Sequence, residues 1–412
     1  MNVNVTKPIP IEFKWVVDAY GKVRKGGKAV GIDEESWTDF DKDVEKNLYV
    51  IWNRMSSGSY LPQAVREKEI PKKDGKTRKL GIPTLRDRIA QQVVKHYMEV
   101  RIDKLFHTNS YGYRPMKSAH QALKAVLDNC YKKDWVIDMD ISKFFDEIDH
   151  ETMLKAVQHV LPEKWISLYV KRWLEAPVQD EDGNLREKQG KGTPQGGVIS
   201  PILANLYLHF TLDMWLNKYY PDVSFVRYAD DVVIHCHTRL RAEEVLESIR
   251  LRLAEVKLSI KESKTKIAYC MDHKRYQKHD KVSFDFLGFS FKPLPAKSPY
   301  REQLFTLFRA EISLSSRKKI IEAIKEEKVL RNTQLTIEDL AAKLNPRLRG
   351  WINYYGVMGK RQLRNTLYRL QERLVKWIGK KYKIGYKKSF SKLAVMKENN
   401  PNLFYHWETK YF

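Results

Sequence analysis

The amino-acid sequence predicts an α+β chain in which a sheet-forming part precedes a helical part. Three observations carry this. Trp135-Val136-Ile137-Asp138-Met139-Asp140-Ile141 alternates with period two. Phe225-Val226-Arg227-Tyr228-Ala229-Asp230-Asp231-Val232-Val233-Ile234 reads as strand, tight turn and strand. Beyond a boundary near Pro293–Pro299, apolar residues recur at helical spacing behind capping residues.

Both strand regions carry acids where apolar residues dominate, and that is costly unless something positive meets them. In the first, Trp135, Ile137, Met139 and Ile141 take one face, and Val136, Asp138 and Asp140 the other. Two acids on one face repel unless a cation sits there. Paired with the hairpin, this strand brings Asp140 beside Asp230 and Asp231. Asp138 is the alternative; Asp140 is preferred because Phe144-Phe145 follows it at a useful distance. Oxygen-only ligands suit Mg²⁺, which shares its shell with water and substrate phosphates. Three carboxylates suffice for a two-metal site, which clamps the attacking and leaving oxygens of an in-line phosphoryl displacement.

With 412 residues the chain is long enough for two or three domains. Its 42% apolar share supports packed cores rather than disorder. A formal net charge of +24 points to a polyanionic partner. The 22 Tyr and 10 Trp are mostly core, but they also offer stacking surface to single-stranded nucleic acid. Cys130, Cys236 and Cys270 form no Cys-x-x-Cys, which argues against zinc and a disulfide framework and fits a reducing compartment. Neither a signal peptide nor a membrane span is expected.

Residues 1–65 read as mostly helical, with Phe13, Trp15, Val16, Tyr20 and Val23 at helical spacing. Gly26-Gly27 ends that helix and Gly31-Ile32-Asp33-Glu34 opens the next. A basic hairpin follows, turning at Asp74-Gly75 and carrying Lys72, Lys73, Lys76, Arg78 and Lys79. Thr84 to Asp87 resembles a capping box, and Ile89, Val93, Tyr97 and Val100 form a core stripe. Tyr111-Gly-Tyr-Arg114-Pro is a turn before a helix, with Arg114 either structural or a template contact; His120 is packed or on the surface. Asp180 to Asn184 is an acidic turn.

Gly192-Thr-Pro194-Gln195-Gly196-Gly197 allows close approach of backbone to a ligand, and Gln195 can both donate and accept. Val198 to Leu208 is a buried helix. Ala242 to Leu253 is amphipathic, with Glu243, Glu244 and Glu247 outward. Phe284 to Phe291 is a strand pair bent at Gly288. Ser315 or Ser316 caps Arg317 to Lys328. Thr336 to Asp339 caps a helix with the stripe Leu340, Leu344, Leu348, Trp351, Ile352 and Tyr355, which Pro346 kinks or breaks. From 341 to 412 there are seventeen Lys or Arg against three Glu and no Asp. That imbalance favours an RNA surface, with Trp351, Tyr354, Trp377, Tyr382 and Tyr386 interleaved.

The ordered set Asp140-Ile-Ser-Lys-Phe-Phe-Asp146, Gly192-Thr-Pro-Gln-Gly-Gly-Val-Ile-Ser-Pro201 and Tyr228-Ala-Asp-Asp231 resembles a reverse transcriptase. Leu348-Arg349-Gly350-Trp351-Ile352-Asn353-Tyr354-Tyr355-Gly356 is similar to the maturase, or thumb, block of bacterial group II intron proteins, and narrows the resemblance to them. The resemblance implies a right-hand polymerase. Residues 1–65 would be an N-terminal fingers extension, and 66–300 the fingers and a palm whose antiparallel sheet carries the carboxylates. Residues 301–385 would be an α-helical thumb/maturase domain, and 386–412 a short basic tail.

The implied function is RNA-directed DNA synthesis, plus binding of the intron RNA to assist splicing and retrotransposition. Asp140, Asp230 and Asp231 are the implied catalytic residues, and with Ile141 the metal set for two Mg²⁺ ions, Mn²⁺ being a possible substitute. Lys72 and Arg78 would grip the triphosphate. Phe145 would lie under the sugar and exclude a 2′-hydroxyl, with Phe144 the alternative. Gln195 would contact the new base pair, and Lys264 would protonate the departing pyrophosphate or lie idle on the surface. Arg114, Arg349, Trp351, Tyr354, Arg361, Arg364 and Lys380 are the implied RNA contacts. The implied partners are intron RNA, an RNA template with a DNA primer, dNTPs and target DNA, with no membrane. The expected location is the bacterial cytoplasm, with nucleoid association during mobility. The endonuclease domain of some relatives is expected to be missing after Tyr405-His406-Trp407.

Overall fold

The computed structural model describes residues 7–71, 77–297 and 304–408. The chain divides into two compact units. One comprises residues to Ser118, Met139–Ile234 and Leu240–Thr265; the other comprises Ala119–Asp138, His235–Arg239 and the chain from Lys266 onward.

The first unit opens with three helices: α1 (Phe13–Val23), α2 (Trp37–Phe40) and α3 (Val44–Ser56). The second of these starts at Ser36, not at Gly31–Glu34. Ser36 accepts the Asp39 N–H, satisfying an amide that the helix itself leaves without a partner. Gly31 instead lies against the Thr84 backbone, where a Cβ would come within 2.6 Å of the Thr84 Cα. Strands β1 (Val65–Pro71) and β2 (Thr77–Ile82) pair antiparallel from Arg66↔Ile82 to Pro71↔Thr77. Their turn, with Lys72, Lys73, Asp74, Gly75 and Lys76, lies outside the described residues.

Helix α4 (Leu85–Ile102) begins at Thr84, which accepts the Asp87 N–H. Asp87 does not return a bond to the cap's backbone in a reciprocal box. Its buried carboxylate takes the Tyr60 hydroxyl at 2.8 Å, the Thr84 hydroxyl at 2.8 Å and the Gln63 N–H at 3.2 Å. Burial outweighs these three donors and pushes Asp87 up to about 6. Ile89 and Val93 are core as expected, but Val100 is exposed near the helix end.

Next along the chain come α5 (Ala119–Lys132), which belongs to the second unit, then β3 (Trp135–Asp140), α6 (Phe144–Glu147), α7 (His150–Val160) and α8 (Lys164–Glu175). Two short strands, β4 (Val178–Gln179) and β5 (Leu185–Arg186), extend the first sheet in the order β2-β1-β4-β5. Helix α9 (Ser200–Leu208) carries Pro201 in its first turn, where a missing N–H costs nothing. It is buried from Ile202 through Leu208, and each enclosed Leu or Ile contributes about 1.5–3 kcal/mol. A π turn, His209–Asp213, joins it to α10 (Met214–Tyr219). Strands β6 (Ser224–Tyr228) and β7 (Asp231–Cys236), helix α11 (Arg239–Glu255) and strand β8 (Lys266–Tyr269) follow, and the strand order is β6-β7-β3-β8.

In the second unit, β9 (Phe284–Phe286), β10 (Phe289–Lys297) and β11 (Leu304–Ile312) form a meander. Leu287 and Gly288 have φ of 49° and 80°, so the expected bend is a two-residue turn of the primed kind. The strands run through Pro293 and Pro295, and the helices start only at α12 (Leu314–Glu326). Its cap is Ser313, which accepts the Ser316 N–H, rather than Ser315 or Ser316. Helix α13 (Ile337–Tyr355) has the expected Thr336–Asp339 capping box and continues unbroken past Pro346. Helix α14 (Lys360–Tyr382) follows. Residues 386–412, read as a short basic tail, include α15 (Tyr386–Asn399) and α16 (Tyr405–Glu408).

Candidate active site

The site lies within the first unit. Asp140 ends β3, and Asp230 and Asp231 follow Ala229 in the turn from β6 into β7. Asp230 is half-buried. Asp231 keeps an exposed surface, yet the walls around it strip away much of its hydration. That desolvation, followed by repulsion from Asp230 and Asp140, pushes Asp231 up to about 6. Asp230 is raised for the same first reason and by Asp140, while Arg78 and Lys264 pull it down. The three carboxylates therefore sense one another, and their surroundings call for positive charge. Among the described residues, no three Asp, Glu, His or Cys side chains close into a ready-made metal cage. Three mutually repelling oxygen donors suit a hard cation that completes its shell with water or ligand oxygens, as Mg²⁺ does.

Lys264 answers part of that demand: its ammonium lies 2.8 Å from Asp140 Oδ2. It is put there by backbone pairing. Lys261 N–H donates to the Asp140 carbonyl and Ser142 N–H to the Ser259 carbonyl, with Ile141 bridged to Ile260 between them. The hydrogen bond to Asp140 raises the Lys264 pKa, so the side chain stays a cation. The buried Ile141 side chain has no donor atom, so its backbone oxygen is all it can offer a metal. Asp138, the alternative ligand, lies opposite Lys266 across β3 and β8, 3.7 Å from its ammonium.

Around this centre the predicted nucleotide residues are stitched together. Arg78 Nε donates to Gln195 Oε1 at 2.6 Å, and Gly81 N–H to the Gln195 carbonyl at 2.7 Å. Gly196, with φ 118°, fits there only as glycine, because a Cβ would meet the Gly81 carbonyl at 2.6 Å. Thr193 N–H donates to the Phe145 carbonyl at 2.7 Å. Phe144 is core, whereas Phe145 remains half-buried. Lys72 lies outside the described residues. Lys79 pairs with Glu67 at 2.6 Å, which Arg186 also reaches at 3.0 Å.

The predicted RNA contacts divide. Arg114 is a brace: its guanidinium bonds Asp103 and the carbonyls of His107 and Ser110, and its side chain is only 6% exposed. Within the second unit, Tyr354 donates its hydroxyl to the Leu287 carbonyl, and its ring packs on His120, Phe289 and Tyr355. Trp351 is half-buried and Trp377 fully so, its indole N–H donating to the Asn332 carbonyl at 2.9 Å. The exposed candidates are Arg349, Arg361, Arg364 and Lys380. Arg361 and Arg364 line an open groove of about 750 Å³ with Tyr368 and Phe390. Lys380 lines a cleft of about 1020 Å³ with Arg331, Arg373, Lys376 and Tyr386.

Sequence reasoning missed a buried pair beneath the acidic turn, Arg227 with Asp213 at 2.5 Å. A charge inside the apolar string Phe225-Val226-Arg227-Tyr228 was the available signal.

Residues 70–291 match the family described as Reverse transcriptase (RNA-dependent DNA polymerase), and residues 317–393 the group II intron, maturase-specific domain. The chain is 33% identical to Protein YkfC of Escherichia coli (strain K12), over 60% of this chain and 74% of that protein. It is 26% identical to the group II intron-encoded protein LtrA of Lactococcus lactis, over 87% of this chain and 71% of that protein. A solved telomerase from Candida albicans, in complex with a fragment of telomeric RNA, aligns with a TM-score of 0.47 at 14% identity, over 89% of this chain and 66% of that one.

Proposed function

The chain belongs to the reverse transcriptase (RNA-dependent DNA polymerase) family and carries the maturase-specific domain of group II intron proteins; from that premise we propose that Asp140, Asp230 and Asp231 form its polymerisation centre. The single observation that carries this is the acidic cluster itself. Three carboxylates from the end of β3 and the turn into β7 interact, two of them are raised by burial and repulsion, Lys264 lies beside Asp140, and Arg78 pulls Asp230 down.

Asp140, Asp230 and Asp231, with the Ile141 backbone oxygen, would hold two Mg²⁺ ions. Bound there, Mg²⁺ would lower the pKa of the primer 3′-hydroxyl and neutralise the triphosphate. Arg78, drawn towards the site by the Gln195 loop, would supply fixed positive charge to the phosphates. Lys264, held as a cation beside Asp140, would be close enough to give a proton to departing pyrophosphate. Phe145 would wall off the 2′ position of the sugar. In the second unit, the exposed cations along α13 and α14 would hold intron RNA by its phosphates and so assist splicing, the cutting and joining being the RNA's own chemistry.

The test is extension of a DNA primer on an RNA template. Asp230→Asn removes a charge but little volume, so the fold is expected to persist while extension is lost and intron RNA binding is kept. Extension at the wild-type rate by this variant would overturn the assignment.

A further inference from the structure

Arg227, in the strand that leads into the acidic turn, is a charge that the polymerisation reading leaves unused. It is completely buried, as is Asp213. Arg227 Nε donates to Asp213 Oδ1 at 2.7 Å and Nη2 to Asp213 Oδ2 at 2.5 Å. Nη1 donates to Asn205 Oδ1 at 2.9 Å and to the Ala229 carbonyl at 3.0 Å. Asp213 is the last residue of the π turn, a rare element that shifts the register of the helix carrying it.

Stability gives little reason for such a pair. Taking two charges out of water costs roughly what their attraction returns, and an apolar pair of similar size commonly serves as well. The pair does, however, fix the guanidinium so that its remaining arm meets the Ala229 carbonyl. Ala229 has φ 58°, in the left-handed region that residues with a Cβ rarely adopt. It is also held from a second direction. A Cβ on Gly112 would lie 2.4 Å from the Ala229 nitrogen, so the two backbones touch there. Gly112 is tied to the same network through Asn205 Nδ2, which donates to its carbonyl at 2.7 Å. The Arg227 backbone joins in, its N–H donating to the Asn109 carbonyl and its carbonyl accepting from the Tyr111 N–H. The next two residues after Ala229 are Asp230 and Asp231.

We propose that Arg227 is a positioning residue for polymerisation: anchored by Asp213 and Asn205, it clamps the strained Ala229 turn and so sets where Asp230 and Asp231 present their carboxylates. The proposal rests on the assignment of those two acids to the polymerisation centre. Lysine cannot replace Arg227, because one ammonium cannot satisfy Asp213 through two parallel bonds and reach Ala229 and Asn205 as well.

Two variants of the full chain test this. Arg227→Lys keeps the buried charge balance. The double variant Arg227→Met, Asp213→Leu replaces the pair with apolar side chains. Each is measured for thermal unfolding, for binding of an RNA template with its primer, and for kcat as a function of Mg²⁺ concentration. Folding and template binding are expected to stay close to wild type in at least Arg227→Lys. Extension should fall about a hundredfold, as for a displacement near 1 Å at a reacting centre. Half-maximal rate should also require more Mg²⁺, a change that a purely structural role would not produce. A folded variant of either kind with wild-type kcat and Mg²⁺ dependence overturns the proposal. If one variant does not fold, the other decides alone; if neither folds, the pair serves stability and the proposal is overturned. A wild-type chain that extends no primer would instead overturn the parent assignment of Asp230 and Asp231.

Discussion

Phe144 and Phe145 are adjacent rings with opposite expected phenotypes, which makes them a sharp test of the site. Phe144 is 2% exposed and packs edge-on against Phe145 at 5.4 Å and Tyr207 at 6.3 Å. Phe144→Ala leaves a void in close-packed surroundings and should cost about 3–5 kcal/mol of stability. Phe145 is only half-buried, so Phe145→Ala should cost about half of that. On the proposed reading its effect is on selectivity. A wall that rejects one extra hydroxyl is worth about as much as one that rejects one extra methylene, roughly 10- to 200-fold. The ratio of kcat/KM for ribonucleotides to that for deoxyribonucleotides should rise by that factor in Phe145→Ala. Single-nucleotide extension with each substrate measures the ratio, and urea unfolding measures the stability. An unchanged ratio in an active Phe145→Ala chain would refute the placement of the sugar. A shifted ratio with little lost stability in Phe144→Ala would show that the two roles had been exchanged.

Three further outcomes are expected. Asp87 binds its proton more firmly in the folded chain, with a pKa near 6 against 3.8. The unfolded state therefore holds fewer protons between about pH 4 and 6, so unfolding free energy falls by about 3 kcal/mol as pH rises through that window and levels off above it. Urea midpoints at several pH values should lose this share of the slope in Asp87→Asn, and identical slopes would remove Asp87 as its source. Combining Arg361→Ala, Arg364→Ala and Lys380→Ala should weaken intron RNA binding and flatten its log–log salt dependence by about 2–3 units, because fewer counterions are released. Unchanged titrations across salt would place the RNA elsewhere, and preannealed primers should still be extended. Trp377→Ala should destabilise the second unit by about 3–5 kcal/mol, as expected of an enclosed Trp. RNA affinity lost without lost stability would return that residue to the surface.

The strands that carry the acids were legible because Trp135–Ile141 alternates strictly and Phe225–Ile234 is an apolar, β-branched run broken by an acidic turn. The Thr336–Asp339 box was legible because capping is a local hydrogen-bond pattern. What escaped depended on partners distant in sequence. Pro293 and Pro295 looked like a strand end, but beyond Phe291 strand β10 pairs, among the described residues, with β11 alone, and an edge strand tolerates a missing N–H. Pro346 looked like a break, but it is exposed in a 19-residue helix whose Leu344 and Leu348 are buried, and their packing outweighs one lost bond. Arg114 read equally well as a contact or a brace. The choice needed Asp103, whose place beside it comes from the turn between them. In α14, Leu363, Leu367, Leu370, Leu374 and Trp377 follow one apolar stripe, so the burial of Trp377 was readable from spacing.

The bond between Arg78 and Gln195 means that an incoming nucleotide meets a guanidinium whose Nε is already engaged. On the proposed reading, binding is an exchange of partners in which a neutral amide oxygen is displaced by a phosphate oxygen. The resting bond has one ionised member, the guanidinium; a phosphate oxygen would supply the second, so the exchange favours a ligand that brings full charge to that spot. A nucleoside, or a nucleotide whose phosphates stop short, would leave Arg78 with its present partner. The resting bond thus acts as a threshold. It trades some affinity for all ligands against admission of those long enough to react.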